Sequence, residues 1–249
     1  MARKKVDTKP WEATQPLSKR DRVRGDVLER TPSWYNPWVH LAFPSLFGLS
    51  FIALALGRLH DVQWYEWAFV PLVLALLNVN EWHIHRNILH RRTWPLEVLF
   101  WRHTPEHHVI FVRHDMAIRD PQEFRLVLIP SYGIVAIFLT GLPIIAALTW
   151  FVSPNVAACW VAVSMLYTVS YEWLHLSYHL PLTSRIGNSA VICAMRRSHA
   201  THHTPELMQK WNFNVTFPVW DWVRGSIHPS TYDVVENEIS ARERRNAAA

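Results

Sequence analysis

The sequence predicts an all-α integral membrane protein in which four transmembrane helices carry a cytoplasmic, histidine-rich helical cap. Three observations favour this fold: long apolar segments, an uneven distribution of basic residues between those segments, and histidines concentrated at the segment ends. Half of the 249 residues are hydrophobic, yet the mean hydropathy is -0.01. Apolar and strongly polar segments must therefore alternate along the chain.

A helix needs roughly 17–25 mostly apolar residues to cross a bilayer. Four segments meet this requirement: residues 38–57, 64–80, 126–152 and 155–171. The third contains Gly141 and Pro143. It is too short for two crossings, so we interpret it as one tilted or kinked span.

The basic residues predict the orientation. Most of the 25 Lys and Arg lie before the first span, in residues 81–125, or after position 179, whereas the two remaining connections are nearly free of them. The positive-inside rule therefore places both termini and the 81–125 segment in the cytoplasm. The net charge of +5 is spread over these segments, which favours contact with anionic lipid headgroups over nucleic acid.

Three regions follow from this pattern: a basic hydrophilic N-terminal arm (1–37), a membrane domain (38–228) and a polar C-terminal tail (229–249). No cleavable signal peptide is expected, because the first apolar run begins too late for one. The two cysteines, Cys159 and Cys193, form neither a disulfide framework nor a CxxC metal motif,.

Histidines supply the functional signal. Ten of the 15 fall into four clusters, all on the side assigned to the cytoplasm: His85, His90; His103, His107, His108; His175, His179; His199, His202, His203. Residues three or four apart share one face of a helix, so pairs such as His103 with His107 can present two imidazoles together. Imidazole binds Fe, Zn, Cu and Ni. One metal accepts four to six ligands, so ten histidines indicate a pair of metal ions.

Other polar residues near the clusters are weaker candidates. His83 and His114 lie beside them and could be additional ligands or could orient one. Glu81 and Glu172 precede a cluster histidine by three or four residues, a spacing at which a carboxylate can orient a ligand imidazole,; an ordinary interfacial acid is the equal alternative. Asp115, Asn212 and Asp221 are further candidates. His40, His60 and His228 are interpreted as polar anchors.

The set of motifs resembles the fatty acid hydroxylase superfamily, which includes sterol desaturases and carotenoid hydroxylases, over about residues 80–228. The matching motifs are HX4H from His85, HX3HH from His103, HX3H from His175 and HX2HH from His199, followed by a closing segment at 212–221. The second motif departs by one residue from the commoner HX2HH. The resemblance implies the ten histidines as ligands of a non-haem di-iron centre, with zinc able to replace iron in purified protein, and the use of O2 with two external electrons.

The resemblance implies hydroxylation of a C–H bond in a fatty acyl, sterol or carotenoid lipid. No nucleotide-binding glycine motif is present,, so the electrons are expected from a separate ferredoxin, cytochrome b5-like protein or reductase. Desaturation by the same chemistry is the first alternative. A metal transporter would have ionisable residues at mid-span, and a haem protein would have facing histidines within the spans; only His40 comes close to such a position.

Overall fold

The computed structural model describes residues 18–231, which form helices and no strand. The prediction of an all-α fold is therefore confirmed for this part of the chain. Ten α-helices occur in chain order: α1 Lys19–Glu29, α2 Pro37–Leu56, α3 Phe69–Ile84, α4 Glu97–Trp101, α5 His108–Ile110, α6 Phe124–Val127, α7 Ser131–Phe151, α8 Pro154–Tyr178, α9 Ala190–His202 and α10 Val219–Arg224. Two π-helical segments, His85–Leu89 and Arg102–His107, extend α3 and α4.

Three helical stretches are long and apolar enough to cross a membrane: Pro37–Leu56, Glu66–Leu89 and Pro121–Phe151. They correspond to the first three predicted spans. Gly141 and Pro143 lie inside α7, which runs unbroken, so this region is one helix as expected. Among the described residues the predicted fourth span, α8, does not belong to this set. It is 25 residues long but more polar, and α2, α3 and α7 all pack against it.

The long helices begin where the sequence supplies capping groups. The side chain of Asn36 accepts hydrogen bonds from the backbone N–H groups of Trp38 and Val39 at the start of α2. Ser153 accepts from Val156 at the start of α8. A proline follows each capping residue at the first helical position, where its missing N–H costs nothing.

The N-terminal arm is partly structured. Residues 1–17 lie outside the described part of the chain, but α1 packs against α5 and buries Val27. Arg24 of α1 forms a buried ion pair with Glu123, at 2.7 Å. The segment predicted as a surface arm therefore includes a helix that is fixed to the cap. Residues 232–249 of the predicted C-terminal tail also lie outside the described residues.

An apolar core supports the cap on the side of α1. Its buried members come from α1, α2, α6, α8 and the 110–118 segment: Val27, Leu41, Ile110, Phe111, Ile118, Phe124, Leu126, Val127, Leu128 and Leu176. Burial of such side chains stabilises a fold by roughly 1.5–3 kcal/mol each. Phe111 and Leu126 also direct their backbone carbonyls at histidines, so the same core fixes the geometry described next.

Candidate metal centre

Nine of the ten predicted ligands converge into two groups of buried histidines. Within each group one ring nitrogen per residue lies within 4.8 Å of the others. Group A comprises His85, His90, His103, His108 and His202. Group B comprises His107, His179, His199 and His203. Each group offers enough imidazoles to hold one metal ion.

The tenth predicted ligand, His175, borders group B. Its ring centroid lies 4.8 Å from that of His199 and 5.0 Å from that of His107. Both ring nitrogens of His175 are buried without a well-formed hydrogen bond, although the Val127 carbonyl interacts with the ring. An imidazole with an uncommitted nitrogen beside four others is available as a fifth ligand.

The π-helical segments explain the spacing of the first two motifs. In a π-turn the backbone N–H of residue i+5 bonds to the carbonyl of residue i, so residues five apart come to lie near one another. The N–H of His90 donates to the carbonyl of His85 at 3.2 Å. The N–H of His108 bonds in the same way to the carbonyl of His103. Both pairs therefore enter group A, although a spacing of five would separate them on an α-helix.

Two segments deliver ligands to both groups and hold the groups side by side. The rings of His103 and His107 lie together as expected, stacked with centroids 5.2 Å apart, but His103 belongs to group A and His107 to group B. Helix α9 likewise gives His202 to group A and His199 to group B. The rings of His108 and His203 stack across the boundary with centroids 4.2 Å apart. The two candidate metal positions are thus adjacent.

Backbone carbonyls set the tautomer of five rings. A carbonyl only accepts, so the ring nitrogen that faces it must carry the proton, and the other nitrogen keeps its lone pair. In each case Nδ1 donates and Nε2 points into a group. The donor and acceptor residues are His85 to Phe213, His107 to Leu126, His179 to Met116, His202 to Trp211 and His203 to Phe111.

A sixth ring is oriented by a hydroxyl. Thr104 donates its only hydroxyl proton to the carbonyl of Leu89 at 2.8 Å. The same oxygen lies 3.2 Å from Nδ1 of His90, so it accepts the proton of that nitrogen. The Nε2 atom of His90 is left facing that of His202 at 2.9 Å.

Burial keeps these rings neutral. Desolvation is the main cause that lowers the pKa of His107 to about 3 and that of His90 to about 2. It also lowers the pKa of His103, His108, His179, His199, His202 and His203 well below the ordinary value. Neutral imidazoles with converging lone pairs are the ligand form that a metal cation requires. The donor set therefore fits a bound metal in each group.

Glu81 and Asp221 act on the 211–221 loop and not on a histidine. Glu81 accepts hydrogen bonds from the backbone of Val215 and Thr216 and from the hydroxyl groups of Tyr167 and Thr216. Asp221 accepts from the backbone of Phe213 at 3.0 Å and of Asn214 at 2.7 Å. The loop they hold carries the Trp211 and Phe213 carbonyls that orient His202 and His85.

Asn212 and Glu172 hold other parts of the backbone. Asn212 has a left-handed φ of 57°, and its amide donates to Ser198, next to the first ligand of α9, and to Thr231. It thereby joins α9 to the end of the described chain. Glu172 is fully buried and accepts from the backbone N–H of Ile129 at 3.1 Å. No direct contact with a ligand histidine is recorded for either within the described residues.

His83 and His114 do not join the groups, which corrects that expectation. His83 precedes His85 by two residues on a helix, so it points to the opposite side and is exposed,. His114 lies exposed in the tight turn closed by Val112 and Asp115. Asp115 forms ion pairs with Arg20 and Arg119 on the surface of the cap.

The three histidines interpreted as anchors make local polar contacts. His40 bonds to the Tyr35 hydroxyl at 2.8 Å and to the Ile129 carbonyl at 3.0 Å. His228 bonds to Ser230 at 2.8 Å, and the His60 backbone pairs with the side chain of Asn155. Each agrees with the structural role assigned from sequence.

Sequence reasoning missed the groups that orient the rings. Five are backbone carbonyls, which carry no side-chain signature. Asn78, Tyr167 and Asn214 were missed as well; they tie the 211–221 loop to α3 and α8, with the Asn214 amide donating to the Asn78 carbonyl at 2.9 Å. A polar residue inside an apolar span, such as Asn78, was the one available signal.

An all-helical protein with three potential membrane-crossing helices and two buried histidine groups belongs to the class of membrane metalloproteins with histidine motifs. The fatty acid hydroxylase family matches residues 70–226, more than half of the chain and all ten histidines. The chain belongs to the fatty acid hydroxylase family, which confirms the resemblance seen in its motifs. No curated protein and no solved structure matches the chain.

Proposed function

We propose that the protein is an O2-dependent di-iron oxygenase that hydroxylates a C–H bond of a membrane lipid. The observation that carries this proposal is the pair of adjacent groups of buried histidines with Nε2 lone pairs directed inward. Membership of the fatty acid hydroxylase family supports a lipid as substrate. Fatty acyl, sterol and carotenoid substrates are all compatible with these observations.

Group A would hold one iron and group B, together with His175, the other. Iron in these positions would supply the activation of O2 that oxidation of an unactivated C–H bond requires. Zinc fits the same imidazoles and can take the place of iron in purified protein. The carbonyl acceptors keep each ring in the metal-binding tautomer, and the buried surroundings exclude water from the centre.

The proposed membrane arrangement has four spans. Helix α8 has 25 residues and is long enough to cross, and α2, α3 and α7 pack against it. The four helices then end with both histidine-bearing segments on one side, and the basic residues of 81–125 favour the cytoplasm for that side,. Lipid chains would reach the centre laterally from the bilayer. A separate electron donor, such as a ferredoxin, a cytochrome b5-like protein or a reductase, would dock on the cytoplasmic face.

The test compares lipids from cells that express the wild type, His202→Ala or His203→Ala, grown under 18O2. The two substitutions remove one ligand from each group. His83→Ala is the matched control, because His83 is exposed and outside both groups. We expect a lipid that gains one 18O atom with the wild type and the control, and not with either ligand variant.

Two other outcomes decide against hydroxylation. A histidine-dependent loss of two hydrogens without oxygen gain identifies a desaturase. Unchanged lipids in the presence of an electron donor that reduces the bound iron contradict the oxygenase proposal altogether. Reduction is followed independently by the spectrum of the donor, so an inactive donor is recognised.

A further inference from the structure

Unpaired arginines and exposed aromatic residues surround the cap end of α3. Arg86 and Arg224 both lie over the ring of Trp82, with guanidinium carbons 4.9 and 5.7 Å from its centroid. Arg92 lies 4.3 Å from the ring centroid of Trp101. Within residues 18–231 none of these three arginines forms an ion pair. We call the three arginines, with Trp94, Trp101, Phe217 and Trp222, the collar.

Within the part of the chain that the structure describes, acidic residues do not neutralise the collar. Asp221 is buried and used by the loop. Glu97, at the start of α4, makes no ion pair among the described residues and is exposed. The Nε atom of Arg86 is buried without a hydrogen-bond partner. A cation placed over an aromatic face gains about 0.5–1 kcal/mol at an exposed site, which orders the guanidinium groups but leaves their charge available to an anion.

The apolar members of the collar are exposed to an unusual degree. Trp94 is 85% exposed and Trp222 is 76% exposed. Phe217 and Trp101 are exposed as well. Large aromatic side chains beside basic residues are typical of the membrane–water interface, where the ring lies at headgroup level and the charge reaches outward.

The apolar and basic members of the collar lie at different positions along the axis of α3. The Phe217 carbonyl accepts from the Asn78 amide at 2.8 Å, and the Trp220 N–H donates to the Asn78 side chain at 2.9 Å. Asn78 precedes Trp82 by four residues, about 6 Å along the helix. Phe217 therefore lies deeper in the span than the arginines over Trp82. Apolar groups lie towards the bilayer and basic groups towards the headgroups.

We propose that the collar binds the anionic headgroups of bilayer lipids and so fixes the depth of the cap. The three arginines of the collar have no ion-pair partner within residues 18–231, their charge is complementary to a phosphate, and the exposed Phe217 of the collar bonds through its carbonyl to Asn78 of α3. The inference needs the membrane placement of α3 but not the oxygenase activity. An acidic electron-carrier protein is the competing occupant and is one outcome of the test.

The experiment uses the full chain in nanodiscs of phosphatidylcholine with 30% phosphatidylglycerol. Native mass spectrometry measures how many molecules of each lipid remain bound to the protein after it is released from the nanodisc. We expect the wild type to retain phosphatidylglycerol in preference, and Arg86→Gln with Arg224→Gln to lose roughly 30-fold in that preference, since each basic residue near a surface adds about 1 kcal/mol and about 1.4 kcal/mol is a factor of ten. Arg58→Gln is the control, because Arg58 is an exposed arginine at the opposite end of the bundle.

Equal retention of the two lipids by the wild type would overturn the proposal. So would an unchanged preference in the folded double variant.

If an acidic [2Fe–2S] ferredoxin binds the wild type in pure phosphatidylcholine, and the double variant loses that binding but not the lipid preference, the collar is a protein-docking surface instead. Should the glutamine variant lose helix content, Arg86→Lys with Arg224→Lys keeps the charge. The double lysine variant must then keep the preference for phosphatidylglycerol, and this preference must weaken as the salt concentration is raised. A preference that does not respond to salt refutes the proposal.

Discussion

The Nε2 atoms of His107 and His203 lie 3.2 Å apart, although both Nδ1 atoms are committed to carbonyls. The Nδ1–H of His107 donates to Leu126 at 2.8 Å, and that of His203 to Phe111 at 2.7 Å. A neutral imidazole carries one N–H, so two lone pairs face each other with no proton between them. This contact is unfavourable in itself, and a cation bound between the two nitrogens would make it favourable.

Removal of metal should therefore destabilise the fold. A ligand present at 100 times its dissociation constant stabilises a protein by about 2.7 kcal/mol, and about 1 kcal/mol shifts the unfolding temperature by roughly 2–4 °C at this chain length. We expect dialysis against a chelator to lower the unfolding temperature in detergent by at least about 5 °C. Returning Fe or Zn should restore it, whereas Mg, which prefers oxygen ligands, should not. An unchanged unfolding temperature after verified metal removal would contradict this reading of the His107–His203 contact.

The two groups should lose their metals independently. His103→Ala removes a ligand of group A, and His199→Ala removes one of group B. The metal content of each single variant is expected to fall from about two ions per chain to about one, and that of the double variant to none. Inductively coupled plasma mass spectrometry measures this content. His83→Ala and His114→Ala should keep the full content. A single ion in the wild type, or the loss of both ions in each single variant, would speak against two separate positions.

Asp221 should control group A through the 211–221 loop. Asp221→Ala leaves the backbone N–H groups of Phe213 and Asn214 without their acceptor, whereas the Trp82 indole keeps the Ser226 hydroxyl. An unsatisfied buried donor costs about 1–3 kcal/mol, so we expect the two to cost at least about 2 kcal/mol. The displaced Phe213 carbonyl should also free the ring of His85, and group A should lose its metal first.

The matched control is Asp120→Ala, because Asp120 is exposed and its side chain accepts one hydrogen bond, from the backbone of Gln122. Loss of such a cap costs about 1 kcal/mol. Thermal unfolding and metal content measured together separate the two variants. Equal losses in both would show that the loop has no special link to group A.

The ten candidate ligands could be identified from the sequence, but the groups that orient their rings could not. All ten histidines were identifiable because an imidazole pattern at segment ends is rare by composition. Glu81 was paired with His85 because of their spacing, yet its carboxylate bonds to Val215, 134 positions away. Such long-range contacts, and the carbonyls that orient the rings, depend on the folded path of the backbone and leave no local pattern.

Two details of the structure could not be predicted from local spacing. The backbone around His103 and His107 is π-helical, and these two neighbouring rings enter different groups. Helix α8 was predicted as a fourth span; it is absent from the three apolar stretches of residues 18–231 that could cross a membrane, and α2, α3 and α7 pack against it. Hydropathy alone does not distinguish a polar face turned towards protein from one turned towards lipid.

The Arg24–Glu123 pair should be required to attach α1 to the cap. Its side chains are 6% and 2% exposed, and removing one partner of a buried pair costs about 3–5 kcal/mol because the other charge stays buried. Arg24→Ala is expected to lose that amount, whereas Arg24→Met with Glu123→Leu should recover most of it. Arg30→Ala, which breaks an exposed pair with Glu106 at 3.4 Å, should cost under about 1 kcal/mol. Thermal unfolding in detergent compares the three variants with the wild type. A double variant no more stable than Arg24→Ala would show that the pair is not the source of the effect.

The π-helical segment after α3 should be essential to group A. Deletion of Ile88 shortens the spacing of His85 and His90 from five to four, and it allows the segment His85–Leu89 to continue as an α-helix. The backbone would then be more regular, but the chain that follows would be rotated and drawn back towards α3, so the His90 ring would leave its position 2.9 Å from His202. We expect about one metal ion per chain, with group B retained, and no lipid oxidation. Ile88→Ala keeps the spacing and should keep both ions. If the deletion variant binds two ions, the i+5 geometry is dispensable, and the HX4H spacing does not owe its function to the π-turn.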